Sequence, residues 1–371
     1  MDRSLRMLLA GALLTSASVS AMIQMSPVQA VMLQASYTDT GLLTGFARNI
    51  MYVFLAPMTA VIILRINWNT PLPLSAMLMA VSHMLMWLAN DLLMVMAAQL
   101  VMGVAMFFFF PCGESIIATL YKKTHRFRAF SVFASAISGG FLLGSLLAGS
   151  VAYFAGLKSL FASMVVLSII ASLVFTRFKI ANNTVEEEKN ISLKTLAKPI
   201  VLAIPYYFVL SSAYSVLPGF LVLNGLTELE VGVLFFFHML SRMSVSYFLS
   251  KSGAGIVKQL LIGSSVILGV SCLLASLYTT SFTAYLLVLV FLGLSVSICF
   301  IVTLQAVSKR GGSQSIFLIG VFETFIGISF IAGPPLAGFL LDSYGMSITL
   351  QALAAAVALA VALNLLHRYQ L

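Results

Sequence analysis

The chain reads as an all-α membrane protein of about twelve transmembrane helices, set out as two six-helix bundles of one design. Three observations carry that reading. Apolar residues make up 61% of the 371 residues and charged residues 8%, against roughly 25% charged in a soluble domain. The apolar residues form continuous stretches near the length of about 20 that crosses hydrocarbon as a helix, not the alternating pattern of barrel strands. Finally, the cations fall in alternate gaps between the stretches, which fixes how the chain threads the bilayer.

Arg3 and Arg6 precede the first stretch, near residues 8–35. Small residues around Ser18 to Ala21 resemble a signal-peptide cleavage region, but the apolar run continues to Ala35 and is too long for one. It is taken as span 1. Spans 2, 3 and 4 lie near 42–64, 73–90 and 92–120, with Arg65 after the second and Lys122, Lys123, Arg126 and Arg128 after the fourth. Spans 5 and 6 follow at 129–154 and 159–176. Residues 177–198, RFKIANNTVEEEKNISLKTLAK, form the one long polar stretch and read as a solvated linker. The linker separates an N-terminal bundle, 1–176, from a C-terminal bundle, 199–371. The second bundle supplies spans near 199–223, 230–249, 259–278, 282–306, 314–340 and 346–366.

Lys251 with Lys258, Lys309 with Arg310, and Arg368 continue the alternate basic gaps, while the opposite gaps hold Asp39, Asp91, Glu228, Glu230 and Asp342 with Lys158 as their one cation. Basic residues stay cytoplasmic during insertion, so both termini and the linker are expected there, in a multi-pass protein of the cell membrane. The net charge of +9 is then a face toward anionic lipid, not a nucleic-acid surface. Cys112, Cys272 and Cys299 lie inside spans without metal-ligand spacing and read as small packing residues. Neither a metal nor a cofactor is expected.

The two bundles repeat. Gly144, Gly149 and Gly156 around the end of span 5 each have a glycine 189 residues later, at Gly333, Gly338 and Gly345. At the same offset Thr38-Asp39 before span 2 falls on Thr227-Glu228 before span 8. Glycines let neighbouring membrane helices approach closely, and Pro334 with Pro335 should bend span 11 near its outer end. Like-oriented halves joined by a cytoplasmic linker after span 6 resemble the major facilitator superfamily over almost the whole chain. Gly103 through Pro111 and Arg126-Phe127-Arg128-Ala129 look like that family's helix 4 and the basic loop after it, and Gly144 to Gly149 resembles its glycine-rich helix 5 motif. Three departures stand out: Gly144-Ser145 replaces the usual Gly-Pro step, Gln99 stands where helix 4 often carries Arg, and the 65–73 loop lacks the usual Gly, Asp and paired-basic signature. Coupling through the family's common residues is therefore not implied.

Ionisable groups inside spans cost at least about 2.5–3.5 kcal/mol on insertion scales and point to function. Arg242 sits near the middle of span 8, with His238 one turn earlier on the same face and Ser241 and Ser246 beside it; it reads as a cavity or gating residue, or as one member of a structural ion pair. Glu323 in span 11 is either a carrier of a coupling proton or the fixed partner of a cation. Arg48 in span 2, with Asn49 and Tyr52 within a turn, either snorkels outward or pairs with Glu323, since helices 2 and 11 meet in the family it resembles. Glu114 in span 4 is expected to bridge to the basic loop beyond it, and Gln99 is a further candidate on that helix. His83 is read as structural.

Two uncharged polar stripes complete the candidates. Ser16, Ser20, Gln24, Pro27 and Gln34 share one face of span 1. Tyr207, Ser211, Tyr214 and Pro218 share one face of span 7. Such paired, interrupted helices favour a binding cavity, although polar faces also join helices to one another. The methionines of 77–106 and the Phe107–Phe110 run are expected in lipid or core.

A secondary transporter moving a small organic solute by alternating access is the leading expectation, with a proton or another ion as its coupling partner and a monomer as its unit. A multidrug or hydrophobic-compound exporter is the transport alternative. Arg242, His238 and Arg48 lean toward an anionic or zwitterionic solute. There is no G-x-x-x-x-G-K-[ST], H-E-x-x-H or G-x-S-x-G motif to support ATPase or hydrolase chemistry. A receptor or scaffold without transport is the reading of another class.

Overall fold

The computed structural model describes residues 3–59, 62, 67–120, 123–179, 197–252, 257–308 and 312–366; no strand occurs among them. The predicted linker lies mostly outside these residues, as do the side chains of the basic loop after span 4. The helices are α1 (Arg3–Met32), α2 (Tyr37–Gly41), α3 (Arg48–Leu55), α4 (Pro71–Leu88), α5 (Leu92–Leu120), α6 (Lys123–Thr176), α7 (Ala197–Leu223), α8 (Glu228–Ser252), α9 (Val257–Leu277), α10 (Phe282–Ser308) and α11 (Gly312–Leu366). Among the described residues nine are long and apolar enough to cross a membrane.

Their boundaries follow local chemistry. Ser36 and Asp39 close a capping box on α2, and the Glu230 carboxylate accepts from the Thr227 N–H and hydroxyl before α8. Asp91 accepts from the Met94 N–H and caps α5, while Pro71 opens α4, where a missing N–H is harmless. Between α2 and α3 the chain widens into a π-helix over Leu42–Ala47. Thr44 and Asn49 donate to the Thr40 and Gly45 carbonyls there, satisfying backbone that a widened turn exposes.

Spans 5 and 6 follow one another as two helices with no connecting loop, numbered together as α6, and spans 11 and 12 likewise make up α11. Each run is broken at a single residue. Gly156 has φ +83°, ψ 162° and Gly345 has φ +79°, ψ 174°, a region only glycine occupies without strain.

Polarity is inverted relative to a soluble protein. Phe154 and Leu277 are 78% and 72% exposed, whereas Gln24, Gln99, His83 and His238 are fully buried. Lipid is the solvent that makes this arrangement stable, since it neither rewards outer polar groups nor hydrates unpaired inner ones. α6 packs against α1, α4 and α8; α11 packs against α7, α9 and the α2–α3 segment. α6 with α8, α11 with α2–α3, and α1 with α7 therefore join the two halves.

Two of these seams use the repeated glycines. A Cβ on Gly149 would stand 2.7 Å from the Glu228 carbonyl oxygen and 2.9 Å from Gly232 Cα. At the mirror position, a Cβ on Gly338 would collide with the backbone of Tyr37 and Thr38. The repeat found in the sequence is thus crosswise in space, helix 5 glycines against the start of α8 and helix 11 glycines against the start of α2.

Candidate functional site

A cavity between the halves encloses about 120 Å³, room for on the order of ten waters or a small organic solute. Its walls repeat by the same offset as the glycines. From α6 come Ala134, Ile137, Ser138 and Phe141, one stripe at i, i+3, i+4 and i+7. From α11 come Glu323, Ile326, Gly327 and Phe330, each 189 residues beyond its counterpart. Three pairs keep similar size and polarity or drop one hydroxymethyl group. The fourth replaces Ala134 by the Glu323 carboxyl.

Glu323 is 3% exposed and Glu114 1%. The two carboxyl groups lie within hydrogen-bonding reach of one another, and Tyr52 donates its hydroxyl hydrogen to Glu323. Glu114 belongs to α5 and Glu323 to α11, so the contact crosses between halves. One carboxyl group donates to another only when it holds a proton. With Glu323 Oε2 taken by Tyr52, Glu323 Oε1 and Glu114 Oε2 have no hydrogen-bond partner beyond the carboxyl–carboxyl contact among the described residues.

Across the cavity stands Arg242 on α8, whose Nη1 donates to the Tyr214 hydroxyl at 3.4 Å. Tyr214 in turn meets His238 Nε2 at 2.9 Å, and His238 Nδ1 meets the Leu289 carbonyl at 2.7 Å. A carbonyl only accepts, so Nδ1 carries the hydrogen and Nε2 accepts from Tyr214. Tyr214 is left with its lone pairs for Arg242. The chain of contacts holds the guanidinium from behind, and no carboxylate pairs with it among the described residues. Arg242 Nε is buried without a partner. Ser297 donates to the Arg242 carbonyl and adjoins Ser246, fixing α10 against this part of α8.

Tyr207 on α7 lines the same cavity as Glu114, Glu323 and Arg242. Its ring packs against Phe330 at 6.3 Å, and its hydroxyl has no partner among the described residues.

Of the sequence candidates, Asn49, Tyr52, Glu114, Tyr207, Tyr214, Arg242 and Glu323 line the cavity, with His238 directly behind. Others do not. Ser20 and Gln24 face α6: Gln24 donates to Ser20 and to Ser145, and Ser20 donates to the Phe141 carbonyl. The serine that replaces the expected proline thus ties helix 1 to helix 5. Ser211 donates to the Ser329 carbonyl and joins α7 to α11. Gln99 donates to the Met22 sulfur, away from the cavity. Arg48 neither snorkels nor pairs with Glu323; it is 3% exposed, and Tyr52, one turn closer, takes the carboxyl instead. The expected bridge from Glu114 to the basic loop falls partly on side chains outside the described residues, while Glu114 itself faces Glu323. His83 is structural, its Nε2 3.1 Å from the Ser18 carbonyl.

The sequence reading missed the apolar walls. Met106 and Phe110 line the cavity although their run was assigned to lipid or core, and Phe141, Phe300 and Phe330 join them. Applying the 189-residue offset along spans 5 and 11 would have exposed part of this wall.

Residues 7–315 match the Major Facilitator Superfamily. The chain belongs to that family. Its members' work fits the cavity between the halves: the protein is a multi-pass membrane transporter that moves a small solute by secondary transport. No curated protein sequence matches it. Among solved structures it is similar to the human organic anion transporter MFSD10 (TETRAN), with TM-score 0.73 and 16% identity over 98% of this chain and 100% of that one. It is also similar to a bacterial homologue of the human lysosomal transporter Spinster in an inward-facing, occupied conformation, with TM-score 0.74 and 14% identity over 98% and 95% of the chains. The unoccupied form of that homologue gives TM-score 0.72 at 13% identity over 98% and 96%.

Proposed function

We propose that the protein carries a small organic solute through this cavity by alternating access and that a proton held at the Glu114–Glu323 pair drives the cycle. The observation that carries the proposal is the meeting of two buried carboxyl groups from opposite halves on the cavity wall. With one proton between them they attract. With none, two like charges a few ångströms apart in a poorly screened site repel strongly and press the halves apart. Proton occupancy is thereby tied to the relative position of the bundles, which is what coupling requires.

The basic gaps favour an orientation with both termini and the linker in the cytoplasm of a cell-membrane protein. Both cavity walls come from one chain, so a monomer suffices as the transport unit. The residues around the cavity bind and release; no reaction on the solute is proposed. An exporter of hydrophobic cations is the weaker reading, because Arg242, which no carboxylate pairs among the described residues, opposes a ligand of purely positive charge.

Purified protein in proteoliposomes, screened against solute panels with and without an imposed pH gradient, tests this. Glu323→Gln should lose gradient-driven accumulation while retaining counterflow at raised solute concentration. Full gradient-driven transport by that variant would remove the proton role.

A further inference from the structure

Resting on the reading of the cavity as the transport site, we infer that its solute is a zwitterion with an apolar body, its cation seated at Glu114 and Glu323 and its anion at Arg242. Four residues that line one small space each carry a buried, incompletely paired polar atom: Glu114 (Oε2), Glu323 (Oε1), Arg242 (Nε) and Tyr207 (its hydroxyl). They differ in charge: the carboxyl groups meet one another while the guanidinium is held at Tyr214, and no ion pair joins the two among the described residues. A simple anion would complement Arg242 and face the carboxyl pair unaided. A simple cation would complement the pair and face Arg242, which no internal carboxylate neutralises among the described residues. Only a ligand carrying both charges satisfies both, since buried charges need partners.

The remaining walls fit an apolar body. Phe141 and Phe330 face the cavity from opposite halves, with Ile137, Ile326, Phe110 and Phe300 around them. An ammonium group set between Glu114 and Glu323 also does what the proton does: it places positive charge between two carboxylates of opposite halves. Proton and solute cation then compete for one position, and the empty, doubly charged pair is the state that resists reorientation. The solute and the proton are therefore exchanged.

The test uses purified full-length protein and a series of ω-aminocarboxylates of rising chain length, each beside the alkylamine and the alkylcarboxylate of equal length. Thermal stabilisation gives relative affinity, and counterflow in proteoliposomes gives transport. One length in the series should bind at least about tenfold more tightly than both of its singly charged partners, roughly the worth of one charged contact. Arg242→Gln should shift the preference to the amine and Glu323→Gln to the carboxylate, while Arg242→Lys, which keeps the charge, should keep the zwitterion preference and shows that the site still folds. If no aminocarboxylate exceeds both partners in the wild-type protein, the zwitterion assignment is overturned. Gradient-driven movement of a singly charged partner would leave the transport reading standing and overturn only the solute class.

Discussion

The α6 wall and the α11 wall of the cavity are copies of one apolar surface, and they differ where the chemistry lies. Ile137 with Ile326 and Phe141 with Phe330 are unchanged, and Ser138 with Gly327 differ by one small group. Ala134 against Glu323 is the substitution on which the proposed coupling rests. The same holds between α3 and α8, where Val53 corresponds to Arg242 and Asn49 to His238. Arg242 and Glu323 sit on the C-terminal half, and Glu114 meets Glu323 from the N-terminal half. The repeat supplies a frame of two like bundles; in the proposed mechanism, departures from it supply binding and coupling.

Restoring the symmetry at the first departure should have the largest effect. Glu323→Ala makes the α11 wall match Ala134 and leaves Glu114 facing Tyr52 alone. Proton-driven accumulation in proteoliposomes should fall to background, while counterflow without a pH gradient persists only at raised solute concentration, because the solute cation loses one of its two carboxyl partners. Retention of accumulation would mean that the difference between the walls is not the seat of coupling.

At the second departure, Arg242→Val copies Val53. Losing a charged hydrogen-bonding partner removes about 1.5–3 kcal/mol, so solute affinity measured by thermal stabilisation should weaken roughly 10–100-fold. His238→Asn, which copies Asn49, should weaken it less, because Tyr214 keeps its place while losing the acceptor that orients its hydrogen.

Much of this frame is legible in the sequence, and the reason is physical. Continuous hydropathy marks each span because lipid demands it, and close helix approach demands glycine, so Gly149 and Gly338 appear as an exact repeat that identifies two of the seams between the halves. Arg242 and Glu323 stand out because burying charge is expensive. Partnership does not show in the same way. Gln24 and Tyr207 look alike as polar residues on a helix face, yet one is satisfied by Ser145 and the other faces the cavity unpaired. Arg48 and Tyr52 lie on one face of α3, and only the three-dimensional seam decides that the tyrosine reaches Glu323. Phe110 and Phe107 belong to one run, but only Phe110 turns into the cavity.

The shared part of the frame is open to a direct challenge at the seams. Gly338→Leu forces a side chain into the backbone of Tyr37 and Thr38, and Gly149→Leu does so into Glu228 and Gly232. Overpacking of this kind costs about 1–3 kcal/mol. The two variants should lower thermal stability by similar amounts and impair transport alike, since they are mirror lesions. A large difference between them would show that the seams are equivalent in sequence but not in use.

One contact at the acidic end already breaks the mirror, and it should give the smallest effect. The Asp342 carboxylate accepts from the Tyr37 N–H at 3.1 Å, the Thr38 N–H at 2.7 Å and the Thr38 hydroxyl at 2.6 Å, capping α2 from the opposite half. Its counterpart 189 residues earlier is Tyr153, which is 48% exposed. The other seam is capped within its own half, by Glu230 on Thr227. Burial and the nearby Asp342 charge also push the Tyr37 phenol above its ordinary value. Asp342→Ala removes a cap worth about 0.5–2 kcal/mol from the α2–α11 seam and leaves the α6–α8 seam intact. A cysteine placed at Thr38 should then react faster with a water-soluble maleimide, by less than about thirtyfold at that energy, while one placed at Thr227 should not change. Equal changes at both positions would mean that the seams open together and that the cap holds the whole acidic end, not one side of it.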